Sequence, residues 1–141
     1  MMSTEVYKAM DRRVVDEIIN KGNMAVADEL FASEYVYHGP GGQELNGPEG
    51  FKQLITIYRT AFPDIHMTIE DMVAEGDKLV TRWTVCGTHK GELMGIAPTG
   101  NQISITGIVI YRIAGDKFVE SWENFDQMAM MQQLGVLPSS D

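Results

Sequence analysis

Arg82-Trp83-Thr84 opens the stretch of sequence that decides the fold of this chain, and Gly135 ends it. The other informative segments are Gly87-Thr88-His89-Lys90-Gly91-Glu92, Pro98-Thr99-Gly100, Val119-Glu120-Ser121-Trp122, Asp126 and Gln132-Gln133-Leu134-Gly135. Runs of alternating apolar residues lie around them, separated by the turn signals Gly76-Asp77 and Gly115-Asp116, as is typical of strands joined by hairpins. The pattern predicts strands over residues 65–74, 78–88, 101–113 and 117–125.

The first half of the chain has helical periodicity instead. It predicts helices over residues 5–20, 24–31 and 48–62, a short extended piece over 35–38, and a last helix after the strands over 126–134. Helices that precede an antiparallel meander indicate an α+β fold. We expect the N-terminal helices to pack on the concave face of a curved antiparallel sheet, which makes a cone whose interior can bind a ligand.

Composition restricts the classes of partner. The chain has 141 residues and a formal net charge of −9, which repels nucleic acid and anionic membrane surfaces. It has no apolar run long enough to span a membrane and no basic-then-apolar leader, so we expect a cytoplasmic protein. Cys86 is the only cysteine, and the histidines and carboxylates lack the spacing of a metal site. We therefore expect no metal, no nucleic-acid partner and no membrane partner.

The C-terminal segments quoted above resemble the SnoaL-like polyketide cyclases, also called ester cyclases, of the nuclear transport factor 2-like superfamily. The resemblance covers nearly the whole chain and implies a single SnoaL-like domain over residues 1–141 with a cystatin-like α+β cone. It also implies acid/base-catalysed intramolecular aldol ring closure, or a related carbon-acid proton transfer. The substrate would be a small apolar, polyketide-derived carbonyl compound, and no cofactor would be needed.

Three residues are candidates for catalysis. Asp126 follows the tryptophan of the last strand in Trp122-Glu123-Asn124-Phe125-Asp126, where the resemblance implies the general acid/base. From its position alone, Asp126 is equally a helix N-cap. His38 ends the short extended piece and can orient a carbonyl or carry a proton, or simply form a hydrogen bond at a strand end. His89 belongs to the family-like loop motif and is either catalytic or a loop-forming residue.

Several residues are candidates for substrate binding. Trp122 lies four residues before Asp126, and we expect it against the ligand. Asn124 is a possible donor to an enolate oxygen. Arg112 can donate in the pocket, although a one-residue change of register around Gly115 would send it to the opposite face. The remaining candidates, whose other interpretation is ordinary core packing, are Tyr37, Phe51 and Tyr58.

The strand over residues 101–113 is apolar on both faces, because Ile105, Val109 and Tyr111 alternate with Ile108 and Ile110. One face packs on the helices, and the simplest cover for the outer face is a second copy of the chain. The sequence therefore predicts a homodimer through the outer face of the sheet.

Two other functions remain open. The same fold also hosts isomerases, dehydratases and epoxide hydrolases, and in the last group Arg82 or Arg112 would be the arginine beside two aspartates. The chain could also be a non-catalytic, dimeric ligand-binding module, since one fold hosts many functions.

Overall fold

A computed structural model describes residues 3–138 of the chain. Four α-helices are present in this part of the chain: α1 (Thr4–Arg13), α2 (Ala25–Leu30), α3 (Gly47–Ala61) and α4 (Gln127–Gln133). The strands are β1 (Phe31–His38), β2 (Glu44–Asn46), β3 (His66–Glu75), β4 (Lys78–Thr88), β5 (Gln102–Ala114) and β6 (Lys117–Phe125). No helix of residues 3–138 is long and apolar enough to cross a membrane.

All six strands form one sheet in the order β2-β1-β6-β5-β4-β3. The antiparallel meander from β3 to β6 agrees with the sequence prediction, and the α+β architecture is confirmed. Two features were not anticipated. The strand β1 pairs in parallel with β6, and the short strand β2 pairs antiparallel with β1 at the edge of the sheet.

The first predicted helix changes its winding halfway along. It is α-helical from its Ser3 N-cap to Arg13 and continues as a π-helical segment, Val14–Ile19. Asn20, which follows this segment, is hydrogen-bonded to β3. Its Oδ1 accepts from the Met67 N–H at 2.7 Å, and its Nδ2 donates to the Met67 carbonyl at 3.0 Å. These bonds hold the N-terminal segment across the concave face of the sheet.

Strand alternation gives the sheet two different faces. On β5 every odd-numbered residue from Ile103 to Ile113 is buried, whereas the even-numbered residues are exposed or half-buried. The odd-numbered side chains face α1, the π-helical segment and α3, and these elements enclose the inside of the cone. The outer face exposes Ile108, Ile110 and Trp122 to 48%, 37% and 37%. Each side chain of the meander therefore points either into the cone or away from it, and one residue of register decides which.

Candidate active site

The inside of the cone contains an apolar cavity with a few polar groups in its wall. Aromatic and aliphatic side chains from the concave face of the sheet, the N-terminal segment and α3 form most of the lining. The polar groups among the lining residues are two carboxyls, two aliphatic hydroxyls, four phenols and one indole N–H: Asp11, Glu123, Thr81, Ser121, Tyr35, Tyr37, Tyr58, Tyr111 and Trp83. A largely apolar pocket with a few converging polar groups is the usual form of a small-molecule site.

Glu123 is the best-placed acid in this cavity. It lies on β6 between Ser121 and Phe125, at an inward-facing position. The Tyr37 hydroxyl donates a hydrogen bond to Oε1 at 2.8 Å, and the Trp83 indole N–H donates to Oε2 at 3.1 Å. The carboxyl is fixed by these two donors and keeps partial exposure toward the cavity.

The surroundings of Glu123 set its acidity. Burial among apolar groups disfavours the charged carboxylate and raises the pKa of Glu123 from 4.5 to about 7. The hydrogen bonds from Tyr37 and Trp83 lower this pKa, and the nearby Asp11 carboxylate raises it. The result is a carboxyl group that can take up and release a proton near neutral pH.

The position of Trp83 depends on a glycine in the neighbouring strand. Trp83 on β4 pairs with Gly107 on β5, and the indole lies directly over the glycine Cα. A Cβ at position 107 would overlap the six-membered ring of Trp83. The absence of a side chain at Gly107 therefore lets the indole lie flat against the sheet and reach Glu123.

Asp11 is a second buried acid in the same cavity. It lies on α1, is 2% exposed, and accepts a hydrogen bond from the Thr81 hydroxyl at 2.6 Å. Burial raises the pKa of Asp11 to about 6, against the opposite effect of hydrogen bonds from Thr81 and Tyr111. Two carboxyl groups with raised pKa values in one cavity are a common feature of acid/base sites.

The tyrosines supply hydroxyl groups that remain protonated. Burial raises the pKa of Tyr58 to about 12 and raises those of Tyr35, Tyr37 and Tyr111 further. The Tyr35 hydroxyl lies 2.6 Å from Ser121 Oγ, so these two groups satisfy one another. At neutral pH the phenols are hydrogen-bond donors rather than phenolates, and they can stabilise negative charge on a bound ligand.

Asp126, the acid that the sequence motif favours, lies outside the cavity wall. Its side chain is exposed and accepts a hydrogen bond from the Ala129 N–H at 2.9 Å. This is the N-cap geometry of α4. These contacts agree with the interpretation of Asp126 as a helix N-cap. The chain leaves the sheet after Phe125, and the Asp126 carboxyl points toward the start of α4.

Four predicted site residues lie on the outer face of the sheet, which corrects their expected placement in the pocket. His38 Nε2 lies 2.8 Å from Glu120 Oε2, and Arg112 bonds the other oxygen of the same carboxylate at 3.1–3.2 Å. The Trp122 indole stacks on the His38 ring with a centroid distance of 5.6 Å. Asn124, two residues farther along β6, is on this face too. The cause is strand alternation, because the inward positions of β6 are Ser121 and Glu123 and those of β1 are Tyr35 and Tyr37.

His89 is buried behind the cavity wall rather than in it. Its Nδ1 accepts a hydrogen bond from the Thr99 N–H at 3.2 Å and lies 3.0 Å from the Thr99 hydroxyl. The ring packs against Phe62 at a centroid distance of 5.5 Å. His89 therefore closes the loop between β4 and β5, as in the loop-forming interpretation, and its expected position beside a substrate is corrected.

Three of the predicted substrate-binding residues do lie in the cavity wall: Tyr37, Phe51 and Tyr58. The sequence analysis missed Glu123 and Asp11 as candidates. A signal existed for each, because Glu123 alternates with Ser121 and Phe125, and Asp11 precedes Val14 and Val15 by three and four residues on the core-facing side of the helix. Within residues 3–138, no three His, Cys, Asp or Glu side chains converge in a group that could hold a metal ion.

Comparison with known proteins identifies the family. The family model for SnoaL-like polyketide cyclase matches residues 9–134. Aklanonic acid methyl ester cyclase DnrD of Streptomyces peucetius is 29% identical over 137 residues, which cover 95% of this chain and 92% of that protein. Aklanonic acid methyl ester cyclase DauD of Streptomyces sp. strain C5 is 29% identical over 127 residues, which cover 88% of this chain and 78% of that protein.

A solved structure gives the same result for the fold. The structure of TsrD from Streptomyces laurentii superposes with a TM-score of 0.87 at 27% identity, covering 97% of this chain and all of the other. The chain therefore has the nuclear transport factor 2-like fold and belongs to the SnoaL-like polyketide cyclase family.

Proposed function

We propose that this protein is a cofactor-independent cyclase that closes a ring by intramolecular aldol addition, with Glu123 as the general base. The substrate is a polyketide-derived ester with a carbon-bound proton made acidic by neighbouring carbonyl groups. The observation that carries the proposal is the Glu123 carboxyl in the cavity wall, held by Tyr37 and Trp83 and with a pKa raised to about 7.

The chemistry follows from this position. The Glu123 carboxylate removes the acidic proton from carbon, and the electron pair of that C–H bond becomes an enolate. The enolate carbon attacks a carbonyl carbon of the same molecule and forms the new C–C bond, while the carbonyl π electrons move to its oxygen. A proton from a neighbouring acid or from water is transferred to that oxygen and completes the hydroxyl product, and Glu123 then releases its proton to solvent, so no oxidant or reductant is consumed.

The apolar wall supports both the base and the intermediate. A carboxylate that is poorly solvated is a stronger base than one in water, because proton uptake relieves the cost of its burial. The Tyr58 hydroxyl lines the cavity and is a neutral donor that can bond an enolate oxygen. General base catalysis of this kind contributes about 10²–10⁴-fold to a rate.

The substrate class is taken from the relatives. The names of DnrD and DauD describe cyclases of aklanonic acid methyl ester, which is an ester as the proposal requires. The aromatic and aliphatic lining of the cavity suits an apolar molecule. We therefore use aklanonic acid methyl ester as the first test substrate, without requiring that it be the natural one.

The test compares two acids that the sequence motif places three residues apart. Wild type, Glu123→Gln and Asp126→Asn are incubated with aklanonic acid methyl ester in D₂O. Deuterium incorporation at the acidic carbon and formation of the cyclised product are both followed. We expect Glu123→Gln to lose about 10²–10⁴-fold in both reactions. Asn is as good an N-cap as Asp, so we expect Asp126→Asn to stay close to wild type.

The opposite ranking of the two variants would assign the base to Asp126 and contradict the proposal. Ligand binding by wild type, seen as quenching of tryptophan fluorescence, without exchange or cyclisation would favour the non-catalytic module. The epoxide hydrolase alternative has less support, because no arginine is found among the described residues that line the cavity.

A further inference from the structure

We propose that Asp11 is a second catalytic residue, a general acid that gives its proton to the carbonyl oxygen that becomes the new hydroxyl. This inference rests on the proposed function and extends it. Glu123 would act on the C–H bond at one end of the reacting group, and Asp11 on the oxygen at the other end.

Strand β4 holds the two acids at a defined spacing. Thr81 and Trp83 are successive inward-facing residues of this strand. Thr81 donates to Asp11 at 2.6 Å, and Trp83 donates to Glu123 at 3.1 Å. The Cα atoms of successive inward residues of a strand are about 7 Å apart, so neighbouring inward positions of one strand position both acids in the cavity wall.

The helix supplies Asp11 from the other side of the cavity. Asp11 comes from α1, whereas Glu123 comes from β6 in the sheet. Both carboxyls belong to the wall of the same cavity, and the negative charge of Asp11 is close enough to affect the pKa of Glu123. A substrate between the helix and the sheet can therefore contact both acids at once.

The hydrogen bonds around Asp11 suit a group that gives up a proton. Thr81 donates to its carboxyl at 2.6 Å, and a donor of this kind stabilises the carboxylate that remains after proton transfer. A purely structural acid in this place would be costly, because a buried carboxyl must lose its hydration without an ionic partner. The residues that face it are Thr81, Tyr111, Tyr35 and Glu123, and none of them is a cation.

One shared proton is enough for the cycle. The pKa values of about 6 for Asp11 and about 7 for Glu123 are close, so one proton can reside on either carboxyl. The arrangement with Asp11 neutral and Glu123 ionised is the one that reacts. From it, Glu123 gains the proton from carbon and Asp11 loses its proton to oxygen. Exchange with solvent after product release restores the starting arrangement.

The experiment separates the two steps with aklanonic acid methyl ester in D₂O. Deuterium exchange at the acidic carbon needs only Glu123, whereas ring closure also needs the acid. We expect Asp11→Asn to keep the exchange rate within about threefold of wild type and to lose about 100-fold or more in ring closure. Asn keeps the size of the side chain and an acceptor for Thr81, but it has no acidic proton to give.

Two further variants control for damage to the fold. Val14→Ala removes buried packing in the same N-terminal segment from a side chain outside the cavity wall, and it should lower exchange and closure by the same factor. Thr81→Val keeps Asp11 but removes its hydrogen bond at nearly constant shape, and it should lower closure more than exchange. This variant provides the test if Asp11→Asn does not fold.

The outcomes distinguish this inference from the proposed function. If wild type catalyses both reactions and Asp11→Asn changes them by the same factor, or changes neither, Asp11 is not the acid and only the present inference is overturned. If wild type catalyses neither reaction, the proposed function is wrong and the role of Asp11 fails with it. A selective loss of ring closure supports the two-acid arrangement.

Discussion

Replacing Glu123 with Gln should remove the activity of the protein and make its stability relative to wild type rise with pH. Burial raises the pKa of Glu123 from 4.5 to about 7, so the folded state prefers the neutral form. Between these two pH values the folded protein binds more protons than the unfolded chain. The wild-type free energy of unfolding therefore falls as pH rises through this window, and above it the full cost of the buried charge remains.

The magnitude follows from the shift. A rise from 4.5 to about 7 corresponds to about 3 kcal/mol at pH 8, because one pKa unit is about 1.4 kcal/mol. At pH 5 the cost is about 1 kcal/mol, since the folded state keeps Glu123 neutral there. Gln cannot ionise, so the variant has no pH-dependent cost of burying a charge at position 123. Its altered hydrogen bonds with Tyr37 and Trp83 add an offset that does not depend on pH.

The measurement is urea unfolding of wild type and Glu123→Gln at pH 5 and pH 8. The stability of the variant relative to wild type should increase by about 2 kcal/mol from the lower to the higher pH. Asp11 titrates in both proteins, so its own contribution largely cancels. A difference that is the same at both pH values would mean that Glu123 ionises normally in the folded state, which would remove the physical basis of its assignment as the base.

Three other changes test separate parts of the structure. Tyr37→Phe removes a hydrogen bond that lowers the pKa of Glu123, so the increase of the carbon-acid exchange rate with pH should move to higher pH. An unchanged dependence of the exchange rate on pH would mean that this hydrogen bond does not affect the pKa of the base. Gly107→Ala would force its methyl group into Trp83 and should cost about 1–3 kcal/mol in urea unfolding together with most of the activity, whereas full retention of both would contradict the close packing. Ile110→Glu places a charge on the exposed outer face and should convert the predicted homodimer to monomers in sedimentation velocity; a monomeric wild type would contradict the dimer itself.

The fold could be predicted from the sequence because its signals are local and repeated. Alternation on the long strands and the turns at Gly76-Asp77 and Gly115-Asp116 placed the meander within a few residues. The parallel pairing of β1 with β6 could not be found in this way, because it joins segments about 85 residues apart and leaves no local pattern. The π-helical winding of Val14–Ile19 is equally hidden, since its residues keep the apolar spacing of an ordinary helix.

The site was harder to predict than the fold, because it depends on the direction in which single side chains point. Tyr37 and Glu123 have the inward parity on their strands, and their neighbours His38 and Trp122 have the outward one. A motif names a segment, but alternation reverses the environment of every second residue in it. Residue type alone favours His38, His89 and Asp126 as catalytic groups, whereas the inward position on β6 identifies Glu123.

Glu123 and Asp126 differ in burial, and this difference is the reason that we propose Glu123 as the base. Both are carboxyls at the end of the same strand, and each accepts hydrogen bonds from neighbouring groups. Asp126 is exposed and fixes the start of α4, a role in which the ionised form is useful because it balances the helix N-terminus. Glu123 lies where ionisation is costly, and that cost gives it a strong affinity for a proton near neutral pH. The same carboxyl group therefore stabilises a helix at one position, and three residues away burial gives it the proton affinity that the proposed base requires.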